Sequence, residues 1–336
     1  MSEDNRQLNR TRPQRPLVSL ALFAYNQEKF IREAMVGALA QSYSPLEVIV
    51  SDDASTDRTF EIIKSIEEQY SGPHELIINR NEKNLGMGGH AARVYGMCRG
   101  EFIFNAAGDD VSIPHRVEVM VREAFSGRHA PSLAFSNAVR MSESGVEQGP
   151  FLPPTMPRQY TGQRNPLAGG MDVLGCAVAF RSELVARFPL MRAGIRAEDI
   201  VLIRRAYLLG GVCYIPEVLV KYRCHRGGIS QTLAFRHSHE EFLKRSLEWS
   251  RDRSFRYEQL RADVRCMYPD GNSSIEKAIE RGEQTEHRAI SVLSGGIAKS
   301  AQAAIAEALV AKDMRLHLVK VFLKRWVPLL GRFEDR

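Results

Sequence analysis

With 336 residues, 44% of them hydrophobic and 26% charged, the chain can bury a full core and carry an appendage, and this balance excludes a disordered or collagen-like polymer. A net charge of +6 suits an anionic partner, which nucleic acid, phosphate-bearing ligands and an acidic membrane surface satisfy equally. The five cysteines (Cys98, Cys176, Cys213, Cys224, Cys266) are scattered and form no CxxC pair, so neither a zinc site nor a disulfide framework is indicated and a reducing cytoplasm is expected.

Residues 1–15 are polar and contain Pro13, as expected of a flexible N-terminal tail. They lack the apolar stretch of a signal peptide, and no window of about eighteen uncharged apolar residues follows anywhere, so no membrane-crossing segment is expected.

The run Leu17–Phe23 is short and apolar, the pattern of a strand buried on both faces. Phe30, Ala34 and Ala38, with Ile31, Met35 and Leu39, then repeat every fourth residue and predict an amphipathic helix. The alternation continues with a strand at Leu46–Val50, a helix from about Asp57, a strand at Glu75–Ile78, a helix from about Gly88 to Cys98 and a strand at Glu101–Phe104. Such a β-α-β-α series implies an α/β fold with a mainly parallel sheet and helices on both faces. Pro114 suits the start of a helix carrying Val117, Met120, Val121 and Ala124 inward. Glycines, prolines and polar residues over 141–170 predict a long loop, Leu174–Phe180 a strand, and Ala197-Glu198-Asp199 the opening of a helix that ends at Gly210-Gly211. Beyond about 232 the chain reads as helices.

Ligands of such sheets gather at the carboxyl ends of the strands, where this chain carries Ala24-Tyr25-Asn26, Ser51-Asp52-Asp53 and Gly108-Asp109-Asp110. Adjacent aspartates there can give one carboxylate to Mg²⁺ or Mn²⁺ and leave the other to orient it or to bind a ribose hydroxyl; an isolated pair is more often a turn. Asp52 could accept from a base N–H, and Tyr25 offers an aromatic face for stacking or for plain packing. The glycine-rich Asn84–His90 segment brings backbone amides toward phosphates, with Arg93 one turn further on, while His90 reads as a surface or capping residue. Glu198-Asp199 has an ordinary reading as a pair stabilising a helix start, and a chemical one as a base for a hydroxyl.

Together, Phe23-Ala24-Tyr25-Asn26, Ser51-Asp52-Asp53-Ala54-Ser55-Thr56-Asp57, Asn84-Leu85-Gly86, Gly108-Asp109-Asp110 and Ala197-Glu198-Asp199 resemble the signature of family 2 glycosyltransferases over roughly residues 16–232. The resemblance implies a GT-A fold and inverting transfer of a sugar from a nucleotide-diphosphate sugar, a UDP-sugar being the favoured form, to a glycan or lipid-linked hydroxyl acceptor, with Mn²⁺ or Mg²⁺ on the diphosphate and no nucleic-acid partner. By the same resemblance Asp52 reads the base, Tyr25 stacks on it, Arg93 lies near the diphosphate, Asp110 is the metal ligand and Asp109 sits nearer the ribose. Asp199 is then the general base supported by Glu198, and the Tyr222-Arg223-Cys224-His225-Arg226 segment brings His225 and Arg226 over the diphosphate. Ala107 stands where the family commonly has a further acid, which leaves the metal geometry open and keeps alive a non-catalytic sugar-nucleotide-binding or polysaccharide-assembly protein on the same fold.

Residues 233–336 form the expected helical region, with an alanine-rich helix near 297–311. Within 312–330, Leu316, Val319, Leu323 and Trp326 share one helical face, with Lys320, Lys324 and Arg325 off it. Such a segment suits an anionic interface at the inner side of the cytoplasmic membrane, or burial of Trp326 against its own domain or a second copy in a homo-oligomer.

Overall fold

The computed structural model describes residues 15–125, 131–155, 157–161, 166–167, 173–225, 227–228 and 239–294. The first apolar run forms β1 (Val18–Ala24), paired in parallel with β2 (Leu46–Asp52) on one side and β4 (Phe102–Ala107) on the other, with β3 (Glu75–Arg80) beyond β2. Every residue of β1 and β2 is buried, which is why these strands are continuous apolar runs and not alternating ones. Leu20 and Leu22 pack with Ile31 and Met35 of α1 (Ile31–Leu39) and with Val117 and Met120 of α4 (Arg116–Met120). On the opposite face Phe23 meets His90 and Tyr95 of α3 (Gly86–Tyr95) edge-on, at ring distances of 5.2 and 5.8 Å. Each of these fully buried large side chains contributes about 1.5–3 kcal/mol of hydrophobic stabilisation. The helix α2 (Thr59–Gln69) joins β2 to β3, and α4 runs on into one π-helical turn at Val121–Phe125.

The remaining strands are β5 (Val111–Ser112), β6 (Leu133–Ser142), β7 (Glu147–Pro150), β8 (Gln159–Thr161), β9 (Val178–Arg181) and β10 (Val212–Cys224). Among the described residues the sheet runs β3-β2-β1-β4-β9-β6-β10-β5, with β7 on β6 and β8 on β10. β9 is antiparallel to both β4 and β6, whereas β6 and β10 are parallel, so the second half of the sheet is mixed. Three sequence expectations change. Leu174–Phe180 is a strand only from Val178, because Gly175–Ala177 coils into a 3-10 turn. The segment 141–170 is not loop throughout: β6 extends into it, and β7 and β8 add short edge strands. β10, thirteen residues long, carries no strand expectation because Pro216 and Glu217 interrupt its apolar run where the register shifts between Ile215 and Val218.

The helices α5 (Glu183–Ala186), α6 (Glu198–Leu209), α7 (His239–Met267) and α8 (Ser273–Ser294) complete the described elements. Two compact units result: Met1–Phe235 with Glu258–Ala278, and Arg236–Tyr257 with Ile279–Arg336. Residues 258–278 group with the unit that holds the sheet. A fully buried ion pair is the physical reason: Asp263 accepts from Arg205 of α6 at 2.9 and 3.0 Å, beside the buried Leu260 and Val264. Removing one partner of such a pair costs about 3–5 kcal/mol. In the second unit Arg253 donates to Glu286 at 2.7 Å, and the ring of Tyr257 lies over Gly282, where a side chain would collide with it. All five cysteines are free. Residues 1–14, Arg226, the 297–311 helix and the 312–330 segment lie outside the described residues. Among the described residues no helix is long and apolar enough to cross a membrane.

Candidate active site

Because β1 lies between β2 and β4, the chain leaves it on opposite sides of the sheet, and the crevice at its carboxyl end is bordered by the loops after all three strands. Two residues there hold left-handed backbone conformations, Asn26 (φ 51°) and Ala54 (φ 59°), a strain that the surrounding hydrogen bonds maintain. The Asn26 side chain accepts from Thr56 N at 2.9 Å, and Asn26 N donates to Ser55 Oγ at 2.8 Å.

Asp52 is 0% exposed. Its Oδ2 accepts from Ser55 N at 3.1 Å and pairs with Arg80 Nε at 3.4 Å, while its Oδ1 accepts from the Ser55 hydroxyl. Asp53 is spent differently. It accepts from Asn81 Nδ2 at 2.7 Å, Leu85 N at 2.9 Å and Gly86 N at 3.1 Å, and so fixes the glycine-rich turn. Gly86 there has φ 68°, which glycine adopts without steric cost.

Asp109 and Asp110 follow β4. Burial, and next the charge of Asp109, push the Asp110 carboxyl well above the ordinary carboxylate range, offset in part by a hydrogen bond from the Cys176 thiol. Asp110 Oδ1 accepts from Arg223 N at 2.7 Å, and Asp109 Oδ2 meets His225 Nε2 at 2.9 Å. Behind them Arg116 is wholly buried, bonded to Ser112 Oγ (2.9 Å), Asn105 O (2.8 Å) and Val178 O (3.2 Å). Burial lowers its pKa to about 10, so it remains a cation at neutral pH and offsets the buried carboxyl. The sequence singles out neither Arg116 nor Cys176; their only signal is a spacing of 6 and 66 residues from Asp110, which carries no meaning before folding.

The 3-10 turn at Gly175–Ala177 joins this pair to the start of α6. A β-carbon on Gly175 would stand 3.2 Å from Glu198 Oε1 and 3.6 Å from Asp199 Oδ2, while the next residue is Cys176, bonded to Asp110. Asp110 and the Glu198-Asp199 pair thus flank one three-residue turn. Glu198 is buried and Asp199 half-buried. Both carboxylates also act on the buried Tyr95 hydroxyl, which burial first and Glu198 second push well above the ordinary phenol range. The approach to α6 is seated on α3: Gly88 N donates to Ile195 O at 2.8 Å, and any side chain at Gly88 would strike the carbonyl of Arg192.

Tyr25 is 46% exposed on the rim. Arg93 is exposed in the last turn of α3, and among the described residues it makes no hydrogen bond to these aspartates. His90 is not the expected surface residue: it is buried, bonded to Ser51 Oγ at 2.7 Å and edge-on to Phe23, because α3 turns this face to β1. Among the described residues no group of three or more His, Cys, Asp or Glu side chains is arranged to hold a metal ion.

The profile of Glycosyl transferase family 2 matches residues 19–188, which include both aspartate pairs. EpsE of Bacillus subtilis, a glycosyltransferase by name, is 31% identical over 209 residues, covering 62% of this chain and 73% of that protein. An uncharacterized glycosyltransferase of Haemophilus influenzae is 27% identical over 247 residues, 68% of this chain and 72% of its own length. In fold, the chain is similar to S. aureus TarS in complex with UDP-GlcNAc, with a TM-score of 0.51 at 15% identity over 85% of this chain and 88% of that one. On the family match and these similarities, the chain belongs to glycosyl transferase family 2 and is a glycosyltransferase with a GT-A-like α/β fold.

Proposed function

We propose that this glycosyltransferase moves a sugar from a nucleotide-diphosphate sugar to the hydroxyl of a glycan or lipid-linked saccharide, in one displacement that inverts the anomeric centre. The observation that carries the reading is the pair of carboxylate sites on one turn, Asp110 through Cys176 and Asp199 beside Gly175. Residues 16–232 form the catalytic region in this reading.

The donor set fits a hard divalent cation, Mn²⁺ or Mg²⁺. Such ions are commonly held by one or two carboxylates, the rest of the shell being water and substrate phosphate, so a larger protein cluster is not required. Asp110 is the assigned ligand, with Asp109 beside it toward the ribose and oriented by His225. Among the described residues the buried Asp110 carboxyl makes no direct ion pair: its oxygens are met by a backbone N–H and a thiol, with the charge of Arg223 nearby, which leaves it able to take a cation. When bound, the cation would neutralise charge that builds on the leaving diphosphate.

Arg93 on the exposed face of α3 supplies a second positive charge to the diphosphate, with His225 just after β10 closing over it and Arg226, next in the sequence, assigned the same role. Tyr25 offers its exposed ring to the nucleobase. For Asp52 to accept from a base N–H, its Oδ1 must exchange the Ser55 hydroxyl for the base. Asp199 takes the proton of the acceptor hydroxyl as its oxygen bonds to the anomeric carbon and the bond to the diphosphate oxygen breaks; Glu198 holds Asp199 in place. A UDP-sugar is the assigned donor.

A thermal-shift panel of UDP-, GDP- and dTDP-sugars, each with and without Mn²⁺, tests this reading. A rise in Tm for one nucleotide class that needs Mn²⁺ is the expected result. Equal shifts with and without the ion would overturn the metal assignment.

A further inference from the structure

Arg223 has no place in the chemistry described above, yet it touches several segments around the candidate site. It is only 2% exposed. Its backbone N–H donates to Asp110 Oδ1 at 2.7 Å and its Nε to the carbonyl of Asp109 at 2.9 Å. Nη1 reaches the carbonyls of Glu143 at 3.0 Å and Ser142 at 3.5 Å, in the turn between β6 and β7. Nη2 donates to Glu33 of α1 at 2.7 Å, and the guanidinium lies over the Phe30 ring, 4.9 Å from its centroid. The same ring carries His225 at 4.8 Å, whose Nε2 meets Asp109 Oδ2.

One side chain therefore ties the aspartate loop to α1 and to the β6–β7 turn. A guanidinium presents five N–H donors in a rigid plane, and this position uses three of its nitrogens in different directions while one face stacks on an aromatic ring. An ammonium could supply the charge but not that fork. The charge itself is not the main service, because the paired Glu33 side chain is largely in solvent and such pairs contribute little. What the buried guanidinium does is fix the Asp109 carbonyl against α1 and the β6–β7 turn, while the backbone N–H of the same residue holds the Asp110 carboxylate beside it.

We propose that Arg223 is the positioning residue of the Asp109-Asp110 site: it sets the geometry in which the two carboxylates receive the divalent cation, and with Phe30 it holds His225 against Asp109. This rests on the reading of Asp109-Asp110 as the cation site. The β6–β7 turn is held by the same side chain, through the carbonyls of Ser142 and Glu143.

The test uses the full chain and Mn²⁺ itself, with free ion read by electron paramagnetic resonance and by the Mn²⁺-induced rise in Tm. Arg223→Lys and Arg223→Met are compared with Asp110→Asn. The expected result is a loss of Mn²⁺ affinity of about 10–100-fold for Arg223→Met, the range for groups that orient metal ligands, with Arg223→Lys intermediate and the fold preserved by circular dichroism. In turnover, the Mn²⁺ concentration for half-maximal rate should rise more than the donor KM. If Arg223→Met does not fold, Arg223→Lys decides alone. Wild-type Mn²⁺ affinity in a folded Arg223 variant, alongside loss in Asp110→Asn, overturns the positioning role and leaves the cation site standing. Wild-type Mn²⁺ affinity in Asp110→Asn overturns the cation site itself.

Discussion

The same dipeptide, Asp-Asp, ends two parallel strands on either side of β1, and the two copies serve opposite ends. At Asp52-Asp53 the protein itself engages both carboxylates: five of the donors around them are the Ser55 amide and hydroxyl, the Asn81 side chain and the Leu85 and Gly86 amides. These bonds fold two neighbouring loops. At Asp109-Asp110 the surroundings are a buried carboxyl with a raised pKa, a thiol, one backbone amide and a histidine, with Arg116 behind. A carboxylate that accepts from three N–H groups, as Asp53 does, braces its loop, whereas Asp110, met by a single amide and a thiol, is the one proposed to take a cation. The hydrogen-bond partners, and not the dipeptide, separate the two.

The largest effect should come from the carboxylate on the other side of the Gly175–Ala177 turn from the second pair. Asp199→Asn should lower turnover by about 10²–10⁴-fold, the scale of a lost general base, with donor affinity nearly unchanged by titration calorimetry. Wild-type turnover would refute the assignment. Next, Asp110→Asn and Asp53→Asn set the two pairs against each other. Asp110→Asn should abolish the Mn²⁺-dependent part of donor binding with a small change in Tm. Asp53→Asn should cost about 1–3 kcal/mol in denaturant unfolding, since two part-buried amides lose a charged acceptor, and should keep the Mn²⁺ dependence. The comparison breaks if the two variants exchange behaviour. The smallest effect belongs to Tyr25→Ala, which should raise the donor KM by a factor equivalent to about 0.5–1.5 kcal/mol and leave kcat near wild type, as measured in steady-state kinetics.

The first half of the sheet is legible in the sequence because β1 and β2 are buried on both faces, and such strands write themselves as apolar runs. The glycine-rich turn and the start of α6 at Glu198 are legible through backbone demands. The second half is not, since β6 mixes Ser136, Asn137 and Arg140 into its run and β10 is broken by a proline and two register shifts. The candidate site divides in the same way. Its carboxylates stand at strand and helix ends that the pattern marks. Arg223 does not, because its partners lie 113, 114 and 190 residues away and only the completed sheet brings them together.

Gly88 carries a consequence for how such an enzyme diversifies. Its missing side chain lets the carbonyls of Arg192 and Ile195 rest directly on α3, so the helix proposed to face the donor and the segment that delivers Asp199 share one backbone-to-backbone seam. A new side chain on that helix at this position would push residues 192–195, and with them the start of α6, away from α3. Changes that move the start of α3 must therefore be matched by changes in residues 192–195, so the two segments are free to vary only together.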